Sequence, residues 1–242
     1  METDIKLLHG NCLELMKDIP DKSVDMCLTD PPYGTTACKW DTVIPFEPMW
    51  KELHRIVKDN GAICLFGKQP FTSSLIMSNP KFFKQELIWK KDNFDNPMQA
   101  KNRHLNKLEN ISIFYKIQCT YKPQGLVEVN KTTKQGGTGI LSDSRSKRSR
   151  EYKQKFTNYP INLLEFKRDI PSVHPTQKPV ALLEYLIKTY TLENETVLDF
   201  TMGSGSTGVA AKNLNRNFIG IEKDDKYFQI AKDRIEAVRH GH

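Results

Sequence analysis

Residues 197–211 read VLDFTMGSGSTGVAA, and their pattern predicts a buried strand, a glycine-rich turn and a helix. Gly203, Gly205 and Gly208 have the spacing GxGxxG, which lets a backbone approach a ligand closely. Glu222 ends the next predicted strand, where an acid can hold ribose hydroxyls. No lysine directly follows the glycines, so the turn is not a phosphate-binding P-loop. The stretch indicates a nucleoside cofactor but leaves NAD, FAD, S-adenosylmethionine and a purely packing role for the glycines open.

The rest of the chain alternates short apolar segments with amphipathic ones. Short apolar runs predict strands at 5–10, 23–30, 62–67, 85–91, 109–116, 195–200 and 216–222. Apolar residues at helical spacing predict helices at 12–19, 46–61, 70–79, 179–191, 206–215 and 224–239. We expect the second of these helices to end at Asn60-Gly61. Such alternation favours an α/β fold with a mainly parallel sheet and helices on both faces.

The alternation breaks between residues 121 and 171. This segment has little apolar periodicity, two adjacent glycines and many serines. Between 131 and 155 two acidic residues oppose a larger basic set: Lys131, Lys134, Arg145, Lys147, Arg148, Arg150, Lys153 and Lys155. Both a solvated loop and a segment that tracks phosphates fit this composition. We therefore predict one domain, residues 1–120 and 172–242, interrupted by a basic insert at 121–171.

Composition narrows the class of protein further. The 242 residues are 38% hydrophobic, which is enough for a substantial core, and a net charge of +7 is compatible with a polyanionic partner. The five cysteines have no CxxC spacing, so we expect reduced thiols and no metal site. The amino-terminal residues lack the pattern of a signal peptide, and no apolar run approaches the ~20 residues of a membrane span. These features predict a cytoplasmic protein that does not contact membranes.

A second stretch, residues 28–34, reads LTDPPYG and directly follows another predicted strand. Pro31 and Pro32 restrict the backbone and remove two amide donors, so the corner offers acceptors: the Asp30 carboxylate and the Pro31 carbonyl. Tyr33 adds a flat ring. Acceptors beside a ring suit the exocyclic amino group of a base, which must leave a duplex to reach them. Taken alone, the stretch is equally compatible with an ordinary turn.

Both stretches follow strands, so both should lie at the carboxyl edge of one sheet, where α/β sheets bind ligands. With HPTQKPVALLEYLI at 174–187 between them, the order of motifs resembles the beta group of DNA amino-methyltransferases. The resemblance covers most of the chain. It implies a Rossmann-like fold with a seven-stranded, mostly parallel sheet. It also implies methyl transfer from S-adenosylmethionine to adenine N6 of a flipped-out base in double-stranded DNA, because the DPPY form favours adenine over cytosine.

The resemblance implies roles for individual residues. The corner formed by Asp30, Pro31, Pro32 and Tyr33 would hold the flipped base. Several residues would hold the cofactor: Asn11, Thr176, Gln177, Lys178, Asp199, Phe200, Gly203, Gly205 and Glu222. The insert would recognise the target, and its basic residues would bind DNA: Lys131, Lys134, Arg145, Lys147, Arg148 and Arg150.

Two positions depart from the family's pattern. The usual DPFMGSG begins here as DFTMG at 199–203, so the aromatic neighbour of the cofactor is either Phe200 or missing. The family's early GD pair is Gly10-Asn11 here. The amide oxygen of Asn11 can accept a hydrogen bond from the cofactor's adenine, but it carries no charge. We expect these changes to affect cofactor affinity.

Other functions stay open at this level. A cytosine-N4 DNA methyltransferase or an RNA methyltransferase would use the same chemistry. An NAD-dependent oxidoreductase would explain the glycine spacing but not the double proline, the 174–179 motif or the insert. A DNA-binding protein that has lost catalysis would fit the altered glycine turn. The sequence also leaves open a homodimer and a cognate nuclease of a restriction–modification system.

Overall fold

The computed structural model describes residues 3–34, 41–135, 150–170 and 177–238. Ten strands occur in these ranges: β1 (Ile5–His9), β2 (Val24–Thr29), β3 (Val57–Gly67), β4 (Phe83–Asp95), β5 (Asn106–Phe114), β6 (Val127–Gln135), β7 (Arg150–Thr157), β8 (Leu163–Glu165), β9 (Thr196–Asp199) and β10 (Asn217–Glu222). The α-helices in the same ranges are α1 (Cys12–Leu15), α2 (Phe46–Ile56), α3 (Phe71–Ser78), α4 (Val180–Tyr190), α5 (Ser206–Asn213) and α6 (Asp225–Glu236).

Eight of the described strands form one sheet in the order β1-β10-β9-β2-β3-β5-β4-β8. The first five strands in that order run parallel to one another, and β5 runs antiparallel to both β3 and β4. The mainly parallel α/β fold predicted from the alternation is confirmed. Because successive parallel strands end at the same edge, the loops after β1, β2, β9 and β10 share one side of the sheet.

The sheet has eight described strands, so the implied count of seven is wrong. The additional strand is β8, which pairs in parallel with β4 through Leu164 opposite Trp89. The indole N–H of Trp89 donates to the Phe166 carbonyl at 3.0 Å, and Lys90 pairs with Glu165 at 2.9 Å. These contacts attach β8 to the main sheet. Its three residues have no strong sequence pattern, so it was not predicted as a strand.

Helices cover both faces of the sheet, as the alternating side chains of its central strand show. Met26 and Leu28 of β2 belong to the buried cluster that contains apolar residues of α4, α5 and α6. Cys27, which points to the opposite face, belongs to the cluster built with α2 and α3. Every residue of β2 except Asp25 is buried, as expected for a strand covered on both faces.

The helix predicted at 46–61 ends at Ile56, so the expected stop at Asn60-Gly61 is wrong. Val57 is extended and begins β3, which continues through Gly61 to Gly67. A Cβ added to Gly61 would lie 2.8 Å from the carbonyl oxygen of Asp25. The glycine therefore permits close approach of the neighbouring strand rather than termination of a helix.

Residues 123–161 form a second compact unit, and the remainder of the chain forms the first. The second unit contains the antiparallel pair of β6 and β7. It is shorter than the predicted insert at 121–171, because residues 121–122 and 162–170 belong to the first unit. Val127 and Phe156 of the hairpin are exposed. None of the described helices is long and apolar enough to cross a membrane.

Candidate active site

A cleft of about 640 Å³ opens at the carboxyl ends of the parallel strands. Much of its lining comes from the ends of β9 and β10 and from the loops after β1, β2, β9 and β10: residues 10–11, 30–33, 199–204 and 222–224. The structure therefore brings the acid–proline corner and the glycine turn together in one cavity. This juxtaposition follows from the parallel order β10-β9-β2, which places the three strand ends side by side.

Asp30 lies at the corner after β2, and two side chains hold its carboxylate. Lys178 donates to one oxygen, and the Tyr33 hydroxyl donates to the other. The backbone is also fixed, because the Thr201 hydroxyl donates to the Asp30 carbonyl at 3.1 Å. Burial raises the pKa of Asp30, and Lys178 only partly opposes that rise. The corner thus presents a rigid, partly buried acceptor to the cleft.

Lys178 lies in the segment just before α4 and is directed toward the Asp30 corner. Its ammonium contacts both Asp30 and Glu109, the latter at 2.8 Å, and lies 5.0 Å from the centre of the Phe66 ring. Burial opposes its charge, but the two carboxylates outweigh burial and hold the pKa of Lys178 above its ordinary value. The resemblance implied a contact with the cofactor's amino-acid end, whereas these interactions tie Lys178 to Asp30.

The other residues of the 176–178 motif are placed differently. Gln177 lines the cleft and donates to Asp169 at 3.3 Å. Thr176 lies outside the described residues. The same Asp169 carboxylate accepts from the backbone N–H of Val180 at 3.0 Å, so it satisfies the first free N–H of α4.

Glu109 is a site residue that sequence reasoning missed. It lies on β5, is only 3% exposed, and its carboxylate is 3.2 Å from the Tyr33 hydroxyl. An acid at the start of a predicted buried strand was the available signal, because buried carboxylates are rare unless they are paired.

Asp199 ends β9 and is fully enclosed by hydrogen-bond donors. One of its oxygens accepts from the Thr29 hydroxyl at 3.1 Å and the Thr201 N–H at 3.2 Å, and the other accepts from the Thr207 hydroxyl at 2.6 Å. Burial nevertheless raises the pKa of Asp199 to about 7. The carboxylate therefore supports the turn that joins β9 to α5 as well as lining the cleft.

Glu222 ends β10 and organises two loops. One carboxylate oxygen accepts from the Gly203 N–H at 2.8 Å, and the other accepts from the N–H groups of Lys223 and Asp224, each at 2.8 Å. A carboxylate oxygen has two lone pairs, so the oxygen bonded to Gly203 retains one for a ligand hydroxyl. The geometry matches a ribose-binding acid beside the glycine turn.

The three glycines of the turn have different environments. Gly203 has φ of +51° and lines the cleft, and a Cβ added there meets no atom within 4 Å. Gly205 has φ of +78°, and its added Cβ would lie 2.9 Å from the Cα of Ala231 in α6. An added Cβ at Gly208 would overlap Ile235. Only Gly203 leaves space for a ligand, whereas Gly205 and Gly208 allow α5 and α6 to pack closely.

The residues at the two positions that depart from the family's pattern, Phe200 and Asn11, both line the cleft. Phe200 lines the cleft but is 1% exposed and packs into the core with α2 and α3. Asn11 also lines the cleft, and its amide oxygen accepts from the Leu13 N–H at 2.9 Å as the N-cap of α1. That oxygen keeps a second lone pair for a ligand amino group.

The different environments of Gly203 and Gly205 predict opposite effects of alanine substitutions. Gly203→Ala should weaken binding of a nucleoside cofactor by about tenfold, because the methyl group would project into the cleft, and should lower the free energy of unfolding by only about 1 kcal/mol, from backbone strain at φ +51° without overlap. Gly205→Ala should lower the free energy of unfolding by about 3 kcal/mol, since it adds both overlap with α6 and backbone strain. Calorimetric titration and urea unfolding measure the two effects. Equal destabilisation by both variants would contradict this assignment.

The predicted DNA-binding residues are only partly described. Lys131 is exposed on β6, Lys134 lies on the same strand, and Arg150 begins β7. Arg145, Lys147 and Arg148 lie outside the described residues.

Comparisons with known proteins identify a family. A family described as DNA methylase, of the N6/N4 type, matches residues 24–233. The chain is 31% identical to the DNA adenine methyltransferase YhdJ of Escherichia coli strain K12 over 97% of this chain and 83% of that protein. It is 28% identical to the type II methyltransferase M.HinfI of Haemophilus influenzae over 96% of this chain and 68% of that protein.

Solved structures show the same fold. The complex of M1.HpyAVI with SAM superposes with a TM-score of 0.65 at 28% identity, over 96% of this chain and 98% of that one. The cytosine-N4-specific PvuII DNA methyltransferase superposes with a TM-score of 0.69 at 16% identity, over 99% and 89% of the two chains, and so shows similarity of fold. The matched region spans most of the chain, including the corner, the glycine turn and the acid that ends β10. This chain belongs to the N6/N4 family of DNA methylases.

Proposed function

We propose that this DNA methylase transfers a methyl group from S-adenosylmethionine to the N6 amino group of an adenine that is flipped out of double-stranded DNA. The observation that carries the proposal is the placement of the Asp30 corner beside the Gly203–Glu222 contact in one cleft. The Asp30 corner provides acceptors for an amino group. Glu222 provides an acceptor for ribose hydroxyls beside Gly203, which leaves space for a ligand. The relative YhdJ, named as an adenine methyltransferase, supports adenine as the base.

The acids of the cleft are suited to the positive sulfonium of this cofactor. Asp30, Asp199 and Glu222 line the cavity, together with the lysines Lys68, Lys178 and Lys223. When bound, S-adenosylmethionine supplies a methyl group that is activated by the attached positive sulfur. The family match over residues 24–233 and the SAM complex of a protein 28% identical to this chain favour this cofactor over the NAD of the competing oxidoreductase hypothesis.

The residues of the corner explain how the amino group would be activated. Asp30 and the Pro31 carbonyl would accept its two N–H bonds, which draws the nitrogen lone pair out of conjugation with the ring. Because Pro31 and Pro32 restrict the backbone, the acceptors are held in place before the base arrives. Tyr33 would stack on the base and offset part of the few kcal/mol that flipping costs.

Transfer of a tritiated methyl group tests the function directly. The protein should label long DNA from a methylation-free host, and digestion should release N6-methyladenosine as the labelled nucleoside. Release of N4-methylcytidine would identify the second candidate, a cytosine methyltransferase, whose fold the PvuII enzyme shares. Labelling of RNA but not DNA would contradict the proposal.

The second compact unit is our candidate for DNA recognition. Its hairpin is a two-stranded ribbon, a shape that can enter the major groove. Lys131, Lys153 and Lys155 of the hairpin are exposed, which suits contacts with phosphates. An isolated two-stranded ribbon is only marginally stable in water, so a bound partner would add order to it.

The basic residues of the insert predict a steep dependence of DNA binding on salt. Each phosphate contact contributes about −0.9 to the slope of log affinity against log salt. Neutralising Arg145, Lys147, Arg148 and Arg150 together should flatten that slope by about three units if most of them contact phosphates. Fluorescence anisotropy with a labelled duplex at several salt concentrations measures it. As a control, Lys17→Gln, Lys51→Gln and Lys81→Gln together alter the charge at three positions of the first unit. An unchanged slope in the quadruple variant would exclude this cluster as the phosphate-binding element.

Other partners belong to the same proposal. Several relatives carry the name of type II methyltransferases, which agrees with a role in restriction–modification. A cognate nuclease, a homodimer and a cytoplasmic location remain predictions. Light scattering of the purified protein, alone and with DNA, tests the homodimer.

A further inference from the structure

Six ionisable side chains of the first unit form a continuous set of contacts that begins at the base-binding corner. We call them the charge cluster: Asp30, Lys68, Lys91, Asp95, Glu109 and Lys178. Three are acids and three are lysines, so the cluster is neutral when every member is ionised. Burying charges costs several kcal/mol each unless they are paired, so the pairing lowers the cost of placing these groups in the interior.

Glu109 is the member that contacts all three lysines. One of its carboxylate oxygens lies 2.8 Å from the Lys178 ammonium, and the other lies 3.8 Å from the ammonium groups of both Lys68 and Lys91. Asp95 pairs with the same Lys68 and Lys91, at 3.0 Å and 2.6 Å. The Lys178 ammonium therefore contacts the carboxylates of both Glu109 and Asp30, whereas Lys68 and Lys91 lie nearer to Asp95 than to Glu109.

The two carboxylates that share Lys178 are not equivalent. Burial raises the pKa of Asp30 beyond what Lys178 can offset, and the charge of Glu109 adds to that rise. Burial also opposes the charge of Glu109, but Lys178 and Lys68 outweigh it and lower its pKa. Glu109 is thus the strongly ionised partner of Lys178, and Asp30 is the more basic one.

We propose that Glu109 is a positioning residue for methyl transfer, which holds Lys178 in shared contact so that the Asp30 carboxylate keeps acceptor strength for the amino group of the target base. The inference rests on the proposed function, because it assumes that an amino group binds at Asp30. Glu109 itself acts through Lys178 and Tyr33. Without its charge, Lys178 pairs with Asp30 alone, and Asp30 becomes a weaker acceptor.

The isosteric substitution Glu109→Gln tests the proposal because it removes the charge and keeps the shape. We expect methyl transfer in single turnover to slow by about tenfold or more, with the dissociation constant of S-adenosylmethionine changed by less than about twofold. Glu86→Gln is a matched control on the neighbouring β4, where Glu86 accepts from Asn110 at 2.9 Å. The control should retain the original rate.

The pH profile separates positioning from a general loss of structure. Among the described residues, Tyr33, Lys178, Glu109 and Asp199 are the titratable groups that face Asp30. Asp30 must be ionised to accept from the amine, so its pKa sets the acidic limb of the rate profile. Glu109→Gln removes a charge that raises this pKa, so the limb should move to lower pH. A purely structural defect would reduce the rate without moving the limb.

A charge-balanced double variant reverses the sign of that shift. In Glu109→Gln combined with Lys178→Met, two acids (Asp30 and Asp95) and two lysines (Lys68 and Lys91) remain, so the cluster is neutral again. The double variant therefore keeps the proposal testable if Glu109→Gln alone proves unstable. Asp30 then loses the lysine that lowers its pKa, and the acidic limb should move to higher pH. Shifts in the same direction for both variants would overturn the proposal.

A readout that does not require activity completes the test. With aspartate labelled by carbon-13 at the carboxyl group, and the Asp30 signal assigned by its loss in Asp30→Asn, titration reports the pKa of Asp30 directly. We expect a decrease in Glu109→Gln and an increase in the double variant. Unchanged titration would overturn the role of Glu109 even if the protein methylates DNA, whereas an inactive parent protein with these shifts would count against the proposed function alone.

Discussion

Replacing Asp30 by alanine is expected to reduce methyl transfer to DNA by about 10³-fold or more, because it removes a preorganised acceptor of the target amine. The fold should survive, since Lys178 keeps Glu109 as a partner at 2.8 Å. The cofactor should bind nearly as well as before, because Glu222 and the glycine turn are unaffected. Single-turnover tritium transfer and calorimetric titration measure the two quantities.

Two further variants make the result on Asp30 specific. Asp30→Asn keeps the size of the side chain and one acceptor oxygen, so its rate should lie between those of the alanine variant and the unsubstituted protein. Asp92→Ala removes a surface acid of β4 that pairs with Arg168 at 3.0 Å, and should leave the rate unchanged. Turnover of Asp30→Ala close to that of the unsubstituted protein would exclude Asp30 from the reaction.

Replacing Glu222 by glutamine is expected to weaken binding of S-adenosylmethionine by about 10²-fold, or roughly 2.7 kcal/mol. Both carboxylate oxygens of Glu222 accept backbone N–H groups, so the amide N–H₂ of glutamine must face a donor on one side. The Gly203 loop would lose its anchor, and the cofactor ribose would lose its charged acceptor. The rate at saturating cofactor should change much less than the affinity.

The neighbouring Asp225 provides the control for Glu222. Its side chain is 94% exposed and pairs with His9 at 3.0 Å, so Asp225→Asn makes the same change in charge outside the cleft. The affinity for the cofactor should then stay within about twofold. If Glu222→Gln lowers the saturated rate and leaves the affinity intact, Glu222 acts in the reaction rather than in binding.

Much of the site could be predicted because its two main elements are local. The Asp30 corner and the Gly203 turn each directly follow a buried strand, and parallel strands bring such ends to one edge of a sheet. The prediction was wrong where one pattern of apolar residues fits both a helix and a strand. The apolar positions of 46–61 fit a helix throughout, but Val57 onward pairs with β2 instead.

The pairing of Lys178 with Asp30 could not be predicted in the same way. The two residues are 148 positions apart, and the 174–179 motif indicates only a link to the cofactor region. Glu109 lies on β5, which crosses the sheet antiparallel to its neighbours. Its distance from Lys178 depends on how three separate elements pack.

The α/β class, the family and the edge of the sheet that carries the site all follow from the sequence alone, because each depends on motifs or periodic patterns within about 15 consecutive residues. The order of the strands and the presence of an eighth strand were decided only by the tertiary structure. The partner of each buried charge and the one glycine of the turn that faces the cleft were decided only by the tertiary structure. The partner of a buried charge depends on which elements pack around it, and the role of a glycine depends on which backbone packs against it. Neither neighbour is close in the chain: Lys178 meets Glu109, and Gly205 meets Ala231.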